Sequence, residues 1–123
     1  MYSELMSKFL ETSEDILGIF IVDREKEVPI EYSLKKQMNL NEVEEISRAV
    51  SKSLKAYEAT KSKSDLITII FNTNDFSIIA DDYQDNNRIL VILFKPNYFI
   101  VKFVGKNAEY LGKIIDKIKS ENK

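Results

Sequence analysis

Cysteine, histidine and tryptophan are absent from this 123-residue chain, and glycine and proline number only three and two. Without cysteine there is no disulfide framework, thiol nucleophile or thiolate metal site. Without histidine the commonest general acid/base and metal ligand is missing. Nucleophilic catalysis would then rest on serine, threonine or lysine lacking an imidazole partner, and no such residue is marked out by its neighbours. Scarce glycine argues against a phosphate loop, which needs clustered glycines so that the backbone can wrap an anion. The stretch from Gly105 to Gly112-Lys113 has six residues between its glycines where that loop has four, and Ile114 stands where Ser or Thr would ligate magnesium. No enzymatic activity is expected, and no cofactor. Long apolar runs are lacking too: Ile16 to Val22 is far short of a membrane span. The opening residues, Met1-Tyr-Ser-Glu-Leu-Met-Ser-Lys8, lack the basic-then-apolar order of a signal peptide. A cytoplasmic protein without membrane insertion is the expectation.

What is present describes one globular domain over residues 1–123, with 44% hydrophobic and 31% charged residues. The net charge of −2 is unevenly spread, for residues 95–123 carry seven lysines and three acids. Such a tail attracts acidic partners, and its ordinary reading is the solvated face of a terminal helix. Its charge comes from lysine rather than arginine, which argues against nucleic acid as a partner. Two acidic clusters, Glu42/Glu44/Glu45 and Asp81/Asp82/Asp85, lack the spacing of a calcium loop. They read as helix-capping charge and as a solvated turn, so no metal is expected.

Hydrophobic periodicity orders the chain. Tyr2 to Glu14 reads as a helix. Ile16–Val22 and Val28–Ser33 read as a hairpin around the polar link 23–27. The first strand is apolar on both faces and needs cover on both sides; Pro29 demotes the second to an edge. Asn39 or Asn41 caps a long helix to about Thr60, acidic at its start and lysine-bearing toward its end. Leu66–Asn72, Phe76–Asp82 and Arg88–Lys95 follow as an antiparallel meander. Tyr98–Val104 fits either an extra strand or the start of a last helix, with strand preferred and the helix then running from about Asn107 to Ser120. The order is α-ββ-α-βββ(β)-α.

That order, with Ile16-Leu-Gly-Ile-Phe-Ile-Val-Asp23, Val28-Pro-Ile-Glu-Tyr-Ser33, Ile46-Ser-Arg-Ala-Val50 and Asn87-Arg-Ile-Leu-Val-Ile-Leu-Phe94, resembles the roadblock/dynein light-chain family. The family includes dynein light chains, Ragulator scaffold subunits and prokaryotic regulators of gliding-polarity GTPases. Glu-Lys-Glu in the first hairpin departs from the Asp-Gly type of turn common there. The resemblance implies an α/β (α+β) fold: a three-layer α/β/α sandwich with a central antiparallel sheet, the long helix on one face and the terminal helices on the other.

On the long helix, Leu40, Val43, Ser47, Val50, Leu54 and Tyr57 form the stripe expected to face the sheet. Beside it Ala49, Ser53, Ala56 and Thr60 form a stripe of small residues, which allows close helix–helix approach; it serves equally as the edge of an intramolecular contact. The resemblance favours a partner helix, because roadblock domains dimerise with long helices antiparallel and sheets joined edge to edge. The matching edge is the strand ending at Asn72, with Thr68, Ile70 and Asn72 on one of its faces. The resemblance further implies a homodimer, or a heterodimer with a similar subunit, that acts as a scaffold or regulator of a Ras-like small GTPase. Lys106, Lys113 and Lys117 are the candidates for steering that partner. The competing class is a ligand-sensing module of PAS or profilin-like architecture, with a pocket lined by Phe20, Phe76 and Tyr83.

Overall fold

The computed structural model describes residues 2–35, 38–60, 67–96 and 106–121, leaving aside the side chains of residues 60, 106 and 107. The stretch Tyr98–Val104 lies outside the described residues. The elements are α1 (Ser3–Leu10), β1 (Ile16–Asp23), β2 (Val28–Leu34), α2 (Leu40–Thr60), β3 (Ile67–Asn72), β4 (Ser77–Tyr83), β5 (Arg88–Phe94) and α3 (Lys106–Ser120). A short 3-10 turn, Gln84–Asn86, joins β4 to β5.

The helices stop and start for local reasons. α1 ends at Leu10, short of the expected Glu14, because the Thr12 hydroxyl donates to the Phe9 carbonyl at 2.6 Å and turns the chain aside. α2 starts where expected: the Asn39 side chain accepts the Glu42 backbone N–H at 3.0 Å, satisfying one of the orphan donors of the first turn.

All strands pair antiparallel in the order β2-β1-β5-β4-β3, so β2 and β3 are the two edges. β1, apolar on both faces, sits inside the sheet and is buried from Ile16 to Val22. One core lies between the sheet and the terminal helices, with Tyr2, Met6, Phe9, Ile114 and Ile118 packed against Ile19, Ile21, Leu90 and Ile92. The other lies beneath α2, where Val43, Ile46, Val50 and Leu54 meet Phe20, Val22, Ile78, Ile89 and Val91. The result is a three-layer α/β/α sandwich. The two ends of the expected α2 stripe depart from it, since Leu40 and Tyr57 are each 44% exposed. Length explains this. A helix of 21 residues runs about 31 Å, whereas a seven-residue strand spans roughly 23 Å, so the helix is longer than the strands it covers.

Candidate functional site: a sheet edge and a helix flank

The two sheet edges differ in how they are guarded. β2 carries Pro29, and its pairing with β1 is broken by an irregularity between Ile21 and Val22. Proline and bulges are both devices that discourage further strand pairing. β3 has neither. Its six residues pair with β4 in one unbroken register, and none is charged. Ile67, Ile69 and Phe71 pack partly against the core beneath α2. Thr68, Ile70 and Asn72 fall on the opposite face and are exposed, Ile70 by 51%. Two polar bonds brace this strand: Thr68 Oγ1 donates to Asp81 Oδ1 at 2.8 Å, and Asn72 Oδ1 accepts from the Ser77 hydroxyl at 2.8 Å. Among the described residues, then, β3 is a regularly paired and unguarded edge.

The orientation of α2 relates its flanks to these edges. Lys55 pairs with Glu27 at 3.0 Å and Glu58 with Arg24 at 2.9 Å, so the flank bearing Lys55 and Glu58 faces the β1–β2 turn. At about 100° per residue, Ala49, Ser53 and Ala56 lie on the other flank, the one toward β3. Ala49 and Ala56 are exposed and Ser53 is half-buried. The helix therefore turns its small-residue flank to the side on which the sheet offers its unguarded edge.

No family profile matches the sequence, and no curated protein matches it. Solved structures do. A Roadblock/LC7 domain from Streptomyces avermitilis superposes with a TM-score of 0.65 at 6% identity, over 94% of this chain and 92% of that one. The gliding protein MglB from Thermus thermophilus gives 0.64 at 15% identity, over 94% and 89%. MglB in a tetrameric arrangement gives 0.64 at 16% identity, over 95% and 89%. The chain has the roadblock fold.

The remaining candidates of this roadblock-fold chain fall in different places. Lys113 is exposed, 3.6 Å from Glu109 and over the Tyr110 ring. Lys117 is half-buried with its ammonium over the Tyr2 ring, on the side of α3 that meets α1. The Lys106 side chain is outside the described residues. Phe20 and Tyr83 belong to the two opposite cores, with Phe76 packed near the first, so the three line no common pocket. A cavity of about 320 Å³ lies elsewhere, at the end of α1, lined by Ser7, Leu10, Glu11, Ser13, Glu14, Ser33 and Lys35. Among the described residues no group of three or more acidic side chains is placed to hold a metal, and no helix is long and apolar enough to cross a membrane.

One cluster contradicts the sequence reading. Asp82 belongs to no solvated turn: it is the sixth residue of β4, fully buried, with Oδ1 accepting from Arg24 Nε at 2.8 Å. Burial pushes its carboxyl above the usual carboxylate range, against the pull of Arg24. The period-2 pattern held the signal, because Asp82 continues the face of Ile78 and Ala80.

Proposed function

We propose that this chain is a non-enzymatic, cytoplasmic assembly module whose copies pair, with each other or with a similar subunit, to form a platform for a Ras-like small GTPase. The observation that carries this reading is the coincidence of the unguarded β3 edge with the small-residue flank of α2. A second copy related by a two-fold axis would extend the sheet through β3 and lay the two α2 helices against each other. Ala49, Ser53, Ala56 and Thr60 would then form the helix contact, and Thr68, Ile70 and Asn72 would flank the strand junction. Small side chains suit such a contact because interaxial distance follows the residues between the helices. One MglB neighbour is described in a tetrameric arrangement, so assembly occurs on this fold. The GTPase rests on the resemblance to a family that includes regulators of such proteins.

Sedimentation or light scattering tests the pairing. The wild type should be a dimer at micromolar concentration. Replacing both Ala49 and Ala56 with Arg should give monomer, because bulky charges cannot fit a close helix contact. Thr68→Lys should do the same from the strand side, since an edge lysine discourages pairing. A monomeric wild type across that range would overturn the reading. For the GTPase, binding kinetics with the Ras-like protein encoded nearest this gene, loaded with GDP or a non-hydrolysable GTP analogue, should show binding that the Ala49/Ala56 double variant weakens. Reversing Lys106 and Lys113 to Glu should lower the association rate more than it raises dissociation, and the effect should fade with salt.

A further inference from the structure

The C-terminal turn of α2 is held differently from the rest. Up to Leu54 the helix is seated by Val43, Ile46, Ser47, Val50, Ser51 and Leu54, all buried. Beyond Leu54 none of its described side chains is buried. Charge ties this last stretch to the body of the protein. Lys55 Nζ reaches Glu27 at 3.0 Å and the Glu25 carbonyl at 3.3 Å, and Glu58 accepts from Arg24 Nη2 at 2.9 Å.

The tie has an inner and an outer half. Arg24 is anchored inward by buried Asp82, and its backbone N–H donates to the Asn87 carbonyl at 3.2 Å. The Arg24 side chain is 13% exposed, against 36% for Glu58 and 37% for Lys55. Water and salt therefore reach the outer partners while the Arg24–Asp82 pair stays shielded. Screening acts on exposed pairs and spares buried ones.

We propose that Arg24, Glu27, Lys55 and Glu58 form an electrostatic latch that sets the position of the C-terminal turn of α2, and through it regulates self-association. The inference rests on the pairing reading for its second half, because Ala56 and Thr60 sit on the latched turn. It has a consequence that the contact itself does not carry: pairing through uncharged residues becomes sensitive to ionic strength. An apolar contact alone holds or tightens as salt rises. A contact whose second half is positioned by half-buried ion pairs, with water at their outer partners, loosens in proportion to that access.

Two measurements on the full chain separate the halves. Hydrogen exchange at 20 mM and 500 mM sodium chloride reads the latch directly. The amides of Tyr57 to Thr60 should exchange about two- to five-fold faster at high salt, the range that one partly exposed ion pair supports, while those of Val50 to Leu54 stay unchanged. Glu58→Gln should show the fast rate at both concentrations. Uniform exchange, or a Glu58→Gln variant matching wild type, overturns the latch even if the protein proves monomeric. Sedimentation reads the coupling. The wild-type dimer should weaken about two- to five-fold over the same salt range, and Glu58→Gln should begin weak and lose that dependence. Affinity that is flat or rises with salt, beside a salt-sensitive exchange rate, overturns the regulation and leaves the latch.

Discussion

Arg24 and Asp82 stand 58 positions apart in the chain, and the guanidinium donates to the carboxylate across 2.8 Å at the margin of the core beneath α2. The pair joins the β1–β2 turn to the inner face of β4. The second oxygen of Asp82, Oδ2, is buried and lacks a well-aligned hydrogen-bond partner among the described residues; the Gln84 side chain is near enough to favour the charged form, and Arg24 is the cation beside it.

Removing the cation should be costly. Arg24→Ala is expected to destabilise the fold by roughly 3–5 kcal/mol in urea unfolding, the usual penalty for stranding a buried charge. Replacing both residues with leucine should recover most of that loss, as apolar pairs commonly do. The pH sign follows from the raised carboxyl. The unfolded chain loses this proton first, so whatever the group contributes is present in acid and fades as pH climbs through the native titration. The deficit of Arg24→Ala should therefore shrink as pH falls from neutral toward about 4, where a protonated Asp82 no longer needs a partner. A deficit constant across that range would contradict the assignment.

Tyrosine supplies the opposite limit. Burial, with the charge of Asp81, pushes the Tyr83 phenol up to about 12. Tyr2 is pushed up as well, first by burial and then by its hydrogen bond to Glu121. Unfolded tyrosine ionises near 10, so native stability should decline as pH rises through roughly 10 to 12. Ultraviolet titration should show these two phenols ionising together with unfolding, and Tyr83→Phe should flatten the alkaline decline. Loss of all tyrosine protons near pH 10 in a folded protein would refute this.

Glycine in the middle of α3 has no packing reason among the described residues. A Cβ built on Gly112 meets nothing within 4 Å. Gly112→Ala should then raise stability by about 0.5–1 kcal/mol, through helix propensity and a less disordered unfolded chain. Gly18 differs, because a Cβ there would come within 2.8 Å of Leu34 Cδ2, so Gly18→Ala should gain nothing. Thermal melts of the two variants, moving in the same direction by the same amount, would count against this contrast.

Asn87 has a left-handed backbone, φ 55°, and its side chain spans to the neighbouring turn. Oδ1 accepts from the Glu25 N–H at 2.9 Å, and Nδ2 donates to Asp23 Oδ1 at 3.1 Å. Asn87→Ala loses both bonds and strains the backbone, whereas Asn87→Gly loses only the bonds. The alanine variant should be the less stable by about 1 kcal/mol in chemical denaturation. Equal stabilities would mean that the backbone conformation relaxes.

Much of this architecture is legible in the residues. The two-faced apolarity of Ile16–Val22 demands helices on both sides, Pro29 marks an edge, and Asn39 announces the long helix. Other features are not. Asp82 continues the period-2 face of its strand, yet its charge and the turn-rich residues that follow point to a solvated turn, and its partner cannot be found by local pattern because Arg24 is remote in sequence. Leu40 and Tyr57 obey the helical period yet are exposed, because periodicity knows the direction of a side chain and not where the sheet beneath it ends. The small flank of α2 is readable as a stripe, but only the ion pairs at Lys55 and Glu58 reveal toward which edge it turns.

The unequal guarding of the two edges also limits how far the sheet can grow. A chain with two receptive edges adds neighbours without end and becomes a fibre. Here the irregular register and Pro29 blunt β2, and among the described residues neither device guards β3. In the proposed pairing, junction about a two-fold axis would consume that edge in both copies at once, and the doubled sheet would terminate in β2 at either end. If copies pair through β3 as proposed, undoing the block should turn that self-limiting particle into an open-ended one.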